Sequence, residues 1–328
     1  MTSKQRVRST LAGRRPDRPA FSFWYHFPTE QVAGPAAVQA HLDQLSAYGM
    51  DFVKVMNDNP YPHERPIRSV ADLGGLAELR GDEGGFGRQI ELITRLRERV
   101  GGEVLLCTTI FNAWAVLRNL IEPPKEHLPP VMGEVADGPS QWIRDALTRD
   151  EQAVARAVNV IAASLANFAW RCTTAGADGI YLSVRQDWVE PTEAEAGLYG
   201  RLVRPADLRI LDGARAAELN ILHVCGTARE LREFNDYPVA ALNWADRMAG
   251  PSIREVAGWM KPTMCAGVDN LRTLCDGSEQ DVRDEVEDAL LQAGDRPMIV
   301  APGCTFDPKR VPAENLRALA EAAKGWRW

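Results

Sequence analysis

Short apolar runs rich in β-forming residues recur along the chain, each bounded by Gly, Pro, Asn or Asp. There are eight: AFSFWYHF (20–27), DFVKVMN (51–57), VLLCTTIF (104–111), GIYLSV (179–184), NILHVCG (220–226), VAALNWA (239–245), PTMCAGV (262–268) and PMIVAPGC (297–304). Between them lie segments with apolar residues at three and four spacing, which predicts helices in AAVQAHLDQLSAYG, GRQIELITRLRERV, EQAVARAVNVIAASLANFAWRCTTAG, ADLRILDGARAAE, SIREVAGWM, QDVRDEVEDALLQAG and PAENLRALAEAAKGW. Strands alternating with helices build a parallel sheet, and eight of them close more naturally than they stay open, because closure leaves no edge. The expected fold is α/β, a single-domain (β/α)8 TIM barrel over residues 1–328. The Pro-rich stretch IEPPKEHLPPVMGEVADGPS (121–140) breaks the rhythm and is expected to form an insertion or lid near one mouth. No internal repeat or composition break calls for a second domain.

Composition narrows the partners. With 45% hydrophobic and 25% charged residues the chain can bury a sizeable core. A net charge of -7 disfavours a nucleic-acid binder, which needs a concentrated basic face. The basic start MTSKQRVRSTLAGRRPDRP has no apolar core segment, and no later stretch reads as a run of about 18 uncharged apolar residues, so neither secretion nor membrane insertion is expected. The expected location is cytoplasmic, and the six cysteines read as reduced thiols available to a metal.

In barrels of this kind chemistry sits at the C-terminal strand ends. Those ends supply His26, Asn57, Asp58, Phe111, Asn112, Arg185, Gln186, His223, Cys225, Asn243, Trp244, Asp246, Asp269 and Cys304. His223 and Cys225 are two apart, so both side chains leave the strand on one side. Cys304 ends the last run at the same mouth. One imidazole and two thiolates make three ligands of a tetrahedral ion with one position open, the layout of a catalytic zinc site. Cys107, Cys172, Cys265 and Cys275 read as core. His26 and Asp246 are the catalytic candidates. A backbone-satisfied core histidine competes with the first reading and a helix N-cap with the second. Asn57, Arg185 and Asn243 are candidate substrate contacts, with turn formation the competing role for Asn57. Arg247 reads as a surface or helix-start charge.

At these residues the chain resembles the uroporphyrinogen decarboxylase superfamily, and within it the zinc-dependent, corrinoid-linked methyltransferases such as those that methylate coenzyme M. The likeness spans nearly the whole chain and is carried by RRPDRPAFSFWYHFP, DFVKVMND, GADGIYLS, ILHVCG, PTMCAGVD and APGCTFDPKRVPAENLRAL. It implies that His223, Cys225 and Cys304 are zinc ligands, matching that branch's His-x-Cys and distant Cys. Where the decarboxylase branch carries an Arg-rich MRQAGR anchor for carboxylates, this chain has WYHFP, which argues against a porphyrinogen substrate. Around His223 the corrinoid-binding pattern D-x-H-x-x-G lacks its Asp, replaced by Ile221, so a methylcobalamin-type corrinoid is expected on a separate partner protein. The resemblance thus implies methyl transfer between a corrinoid protein and a small thiol-type acceptor. The alternatives are a decarboxylase acting on another acid and a non-catalytic zinc-binding barrel.

Overall fold

A computed structural model describes residues 1–121 and 138–328. All eight expected runs contain a strand: β1 Ala20–Phe21, β2 Phe52–Val55, β3 Leu105–Phe111, β4 Gly179–Val184, β5 Ile221–Val224, β6 Ala241–Trp244, β7 Thr263–Val268 and β8 Ile299–Pro302. Each pairs in parallel with its neighbours in the order β1-β8-β7-β6-β5-β4-β3-β2. Between β1 and β2 the Asp51 amide donates to the Phe21 carbonyl at 3.0 Å, and the Ser22 hydroxyl donates to the Phe52 carbonyl at 2.8 Å. These bonds bring the two ends of the sheet together, giving a (β/α)8 barrel.

Alternation along each strand splits the core in two. Leu106, Ile180, Leu182, Leu222, Leu242 and Met264 face outward into the layer beneath the helices. Phe52, Leu105, Cys107, Tyr181, Ile221, Ala241, Cys265 and Ile299 face inward and fill the barrel. By the same parity Lys54 and Met56 on the second run, and His223 and Cys225 on the fifth, point inward at the upper end.

The expected helices appear with shifted bounds. Gly34–Tyr48, Gly84–Val100, Glu151–Thr174, Glu279–Ala293 and Ala313–Gly325 are full length. The segment ADLRILDGARAAE is helical only within Arg204–Asp212; its C-cap Gly213 packs so close to the Glu151–Thr174 helix that a Cβ there would be 2.2 Å from the Ala166 carbonyl oxygen. In SIREVAGWM only Ile253–Val256 is α-helical. Glu151–Thr174 is long and apolar enough to cross a membrane by length and composition, which the sequence reading passed over. It serves here as a core helix, with Ile161, Leu165 and Phe168 buried in the outer layer.

Three α-helices of at least nine residues were not expected. Ser3–Leu11 is started by a capping box between Thr2 and Gln5 and inserts Val7 into the inner core beside Phe52 and Ile221. It is anchored by Arg6, whose guanidinium meets the fully buried Asp51 at 2.7 Å; Arg18 (2.8 Å) and the Phe21 amide (3.0 Å) satisfy the same carboxylate. Ala113–Ile121 and Gly138–Arg149 are the others. They flank the expected lid, whose residues 122–137 lie outside the described part of the chain.

Candidate metal centre

His223, Cys225 and Cys304 converge at the C-terminal mouth, all buried. Cys304 Sγ lies 3.4 Å from His223 Nε2 and 3.9 Å from Cys225 Sγ. The three ligand atoms fall within 4.8 Å of one another. Tetrahedral zinc with Zn–S near 2.3 Å and Zn–N near 2.0 Å requires separations of about 3.8 Å between two sulfurs and about 3.6 Å between sulfur and nitrogen. The two closest separations are therefore those of a zinc cage, and the donor set of thiolates and imidazole suits zinc over hard cations such as magnesium or calcium.

Backbone geometry sets up this approach. Gly226 follows Cys225 with φ +68°, and a Cβ there would lie 2.4 Å from Asp187 Oδ2 and 2.7 Å from Arg185 Nε. Gly303 lets the turn before Cys304 close onto Ala245, where a Cβ would come within 2.6 Å of that residue's Cα. The thiols are electrostatically unequal. The hydrogen bond from Cys225, helped by the adjacent His223, holds the Cys304 thiol well below its ordinary value against the opposing effect of burial. The same hydrogen bond, together with burial, pushes Cys225 up.

Around the triad lies a small pocket of about 50 Å³. Tyr181 stacks on His223 with ring centroids 5.3 Å apart and planes at 26°. Its hydroxyl donates to Asn243 Oδ1 at 2.7 Å, and Asn243 Nδ2 donates to the carbonyls of Cys265 (2.6 Å) and Pro302 (3.1 Å). His223 Nδ1 is buried without a hydrogen-bond partner among the described residues, so the stack, rather than a hydrogen bond, orients the ring. Opposite, Lys54 is buried with its ammonium 4.3 Å from the Tyr181 ring centroid and 5.3 Å from that of Trp24. Arg185 forms a two-point pair with Asp187 at 2.7 and 3.1 Å and lies over Trp188 at 4.5 Å. His26 Nδ1 is 2.7 Å from Asp58 Oδ1.

Of the residues singled out from the sequence, His26, Phe111, Arg185, His223, Cys225 and Cys304 line this one pocket. Asn243 lies behind Tyr181 and does not. Asn57 donates to the Thr109 carbonyl and accepts from the Asn59 amide, the turn-forming role. Asp246 also turns away: its carboxylate accepts from the Gly267 amide at 2.9 Å and pairs with Arg247 at 3.2 Å. It ties β6 to β7, with burial raising its carboxyl to about 6. Arg247 is itself half-buried, bridging Asp246, Asp288 and the Glu285 carbonyl. Cys107 and Cys265 sit in the inner core, as expected. Lys54, Thr109, Tyr181 and Trp188 line the pocket and were missed. The signal for Lys54 was available, since a lysine at an inward position of the apolar run DFVKVMN has no route to solvent.

The family model described as uroporphyrinogen decarboxylase matches residues 41–326. Among solved structures, a methyltransferase from Methanosarcina mazei is similar at 18% identity and a TM-score of 0.75, covering 99% of both chains. At that identity the likeness is one of fold. A B12-independent methionine synthase from Shewanella sp. W3-18-1 matches at 10% identity and a TM-score of 0.47, over 72% of this chain and 66% of that one. A putative vitamin-B12 independent methionine synthase from Listeria monocytogenes matches at 15% and 0.48, over 73% and 70%. No curated protein matches the chain.

Proposed function

The chain belongs to the uroporphyrinogen decarboxylase family, and from that premise we propose that it is a zinc-dependent methyltransferase working between a separate corrinoid protein and a small thiol-type acceptor. The observation that carries this reading is the buried convergence of His223, Cys225 and Cys304 at zinc-like separations, with room for a fourth ligand on the pocket side. When bound, zinc supplies a Lewis-acid position at which an acceptor thiol becomes acidic near neutral pH. Cys225 and Cys304, both deprotonated as ligands, offset the ion's two positive charges, so an acceptor sulfur keeps its electron density for attack on a methyl group. His223 fills the neutral place in the set, its plane fixed by Tyr181. His26, with Nδ1 engaged by Asp58, has Nε2 left to take the proton that the acceptor releases. The aromatic and aliphatic wall of Met56, Phe111, Val184 and Trp188 keeps water from competing for the methyl group. The corrinoid has no built-in site motif in this chain and is supplied by its partner.

The test is methyl transfer from methylcobalamin to a panel of thiols by full-length protein purified without chelator. Turnover that requires zinc and disappears in Cys304→Ala supports the reading. Metal-free protein that releases carbon dioxide from an acid substrate at the same rate would replace it with decarboxylase chemistry.

A further inference from the structure

Of the pocket residues Phe111, Tyr181 and Trp188, the first two belong to strands and only Trp188 comes from a loop, the connection after β4. That loop is built to hold the indole still. The guanidinium carbons of Arg118 and Arg185 lie over its ring at 4.1 and 4.5 Å, and Arg144 Nη1 donates to its carbonyl at 3.0 Å. Three elements thus grip one side chain, since Arg118 lies on the helix Ala113–Ile121 and Arg144 on Gly138–Arg149. Beneath it the amides of Val189 and Glu190 close a turn onto the Gln186 carbonyl at 2.8 and 2.9 Å. Gln186 is fully buried and pinned in its turn: Nε2 donates to Glu190 and Glu233 at 3.1 and 2.8 Å, and Oε1 accepts from the Arg229 amide at 3.0 Å. Cation–π contacts strengthen as water is excluded, so this ring is a firm wall and not a flap.

The space it bounds is small. About 50 Å³ holds about three to five water-sized groups, the size of a thiol with about two to four atoms beyond its sulfur. In an unbounded apolar site each further methylene would tighten binding by about fourfold; against a fixed wall it can only displace packed side chains, which costs more than burial returns. Phe111 and Tyr181 cannot yield, being part of the barrel itself. We propose that Trp188 is the specificity-determining residue that sets the length of the acceptor, admitting short-chain thiols and turning away those with a longer chain or a ring. This inference deepens the methyltransferase reading and rests on it only for the thiol as the group bound at the metal.

The test titrates two uncharged thiols, 2-mercaptoethanol and 6-mercapto-1-hexanol, into the zinc-loaded full chain and its Trp188→Ala and Trp188→Phe variants by calorimetry. The wild type is expected to favour the short thiol by about tenfold or more. A site without the wall would favour the long one by about a hundredfold, the gain from its extra methylenes. Trp188→Ala should therefore reverse the order, and Trp188→Phe, which keeps a smaller ring, should narrow the preference; the phenylalanine variant decides the matter if the alanine variant does not fold. Zinc content measured on the same samples is expected to stay at the wild-type level, and its loss in both variants would assign Trp188 to the metal site or the fold and overturn the proposal. A wild type that favours the long thiol, a wild-type preference that survives in every folded variant, or binding of neither thiol would also overturn it. Length selection that depends on Trp188 in a protein that moves no methyl group from methylcobalamin to either thiol would uphold the wall and sink the methyltransferase reading.

Discussion

Asp207 gives the fold a sharply pH-dependent joint beside the barrel mouth. It sits fully buried on the helix Arg204–Asp212 and receives hydrogen bonds from Tyr199 (2.6 Å), Asn112 (3.1 Å) and Tyr237 (3.2 Å). These link the end of β3 to the connections on either side of β5. Burial raises its carboxyl to about 7, the three hydrogen bonds offsetting only part of that effect. A raised carboxyl means that the folded chain binds more protons than the unfolded one between the two values. Its stabilising effect is therefore complete below about pH 4 and fades as pH climbs through 7. At about 1.36 kcal/mol per pH unit, a gap from about 4 to about 7 corresponds to about 4 kcal/mol. Asp207→Asn keeps an acceptor for Asn112 and polar contact with both tyrosines but cannot ionise. Urea unfolding of both proteins from pH 4.5 to 8.5 should show the variant gaining on the wild type by about 3 to 4 kcal/mol as pH rises. Stability curves that stay parallel to within about 1 kcal/mol would show that Asp207 is not held neutral by its surroundings.

Two further outcomes follow from the site. Gly226→Ala forces a Cβ against Asp187 and Arg185 at a positive φ, and should cost about 1 to 3 kcal/mol in denaturant unfolding while loosening Arg185; an unchanged midpoint would mean that the turn relaxes freely. Replacement of Tyr181 separates the ring from the hydroxyl. Tyr181→Phe strips Asn243 of a buried donor and should lower stability by about 1 to 3 kcal/mol, with zinc affinity by chelator competition little changed. Tyr181→Leu, which also loses the stack on His223, should weaken zinc binding about tenfold or more; wild-type affinity in the leucine variant would show that stacking does not orient the ligand.

The barrel was legible because each inward and outward layer leaves an apolar run, and a parallel strand buried on both faces cannot disguise that run. Strand length was not. AFSFWYHF pairs with β8 only at Ala20–Phe21, and the remainder arches over the mouth, carrying Trp24 into the core and His26 to the pocket. The convergence of His223, Cys225 and Cys304 could be read from side-chain parity on one strand and the terminus of another. Asp246 was nominated by its place at a strand end alone; the parity of Leu242 and Trp244 carries it outward, toward Gly267. The N-terminal helix escaped notice because only Val7 and, partly buried, Leu11 of its residues reach the inner core, much of the remaining hold coming from Arg6 and an aspartate 45 positions away. Lys54 escaped for the opposite reason: a charge is read as solvent-facing unless its neighbours are checked for inward parity.

The central claim is that His223, Cys225 and Cys304 form a three-ligand zinc site. X-ray absorption at the zinc edge, with metal content measured on the same sample of protein purified without chelator, tests it directly. The account requires about one zinc per chain, with two sulfurs near 2.3 Å, one imidazole nitrogen near 2.0 Å and one light-atom ligand from solvent. It also requires loss of that metal when the three residues are replaced together by alanine. A wild type without zinc, a shell of four sulfurs, or full zinc content in the triple variant would contradict it.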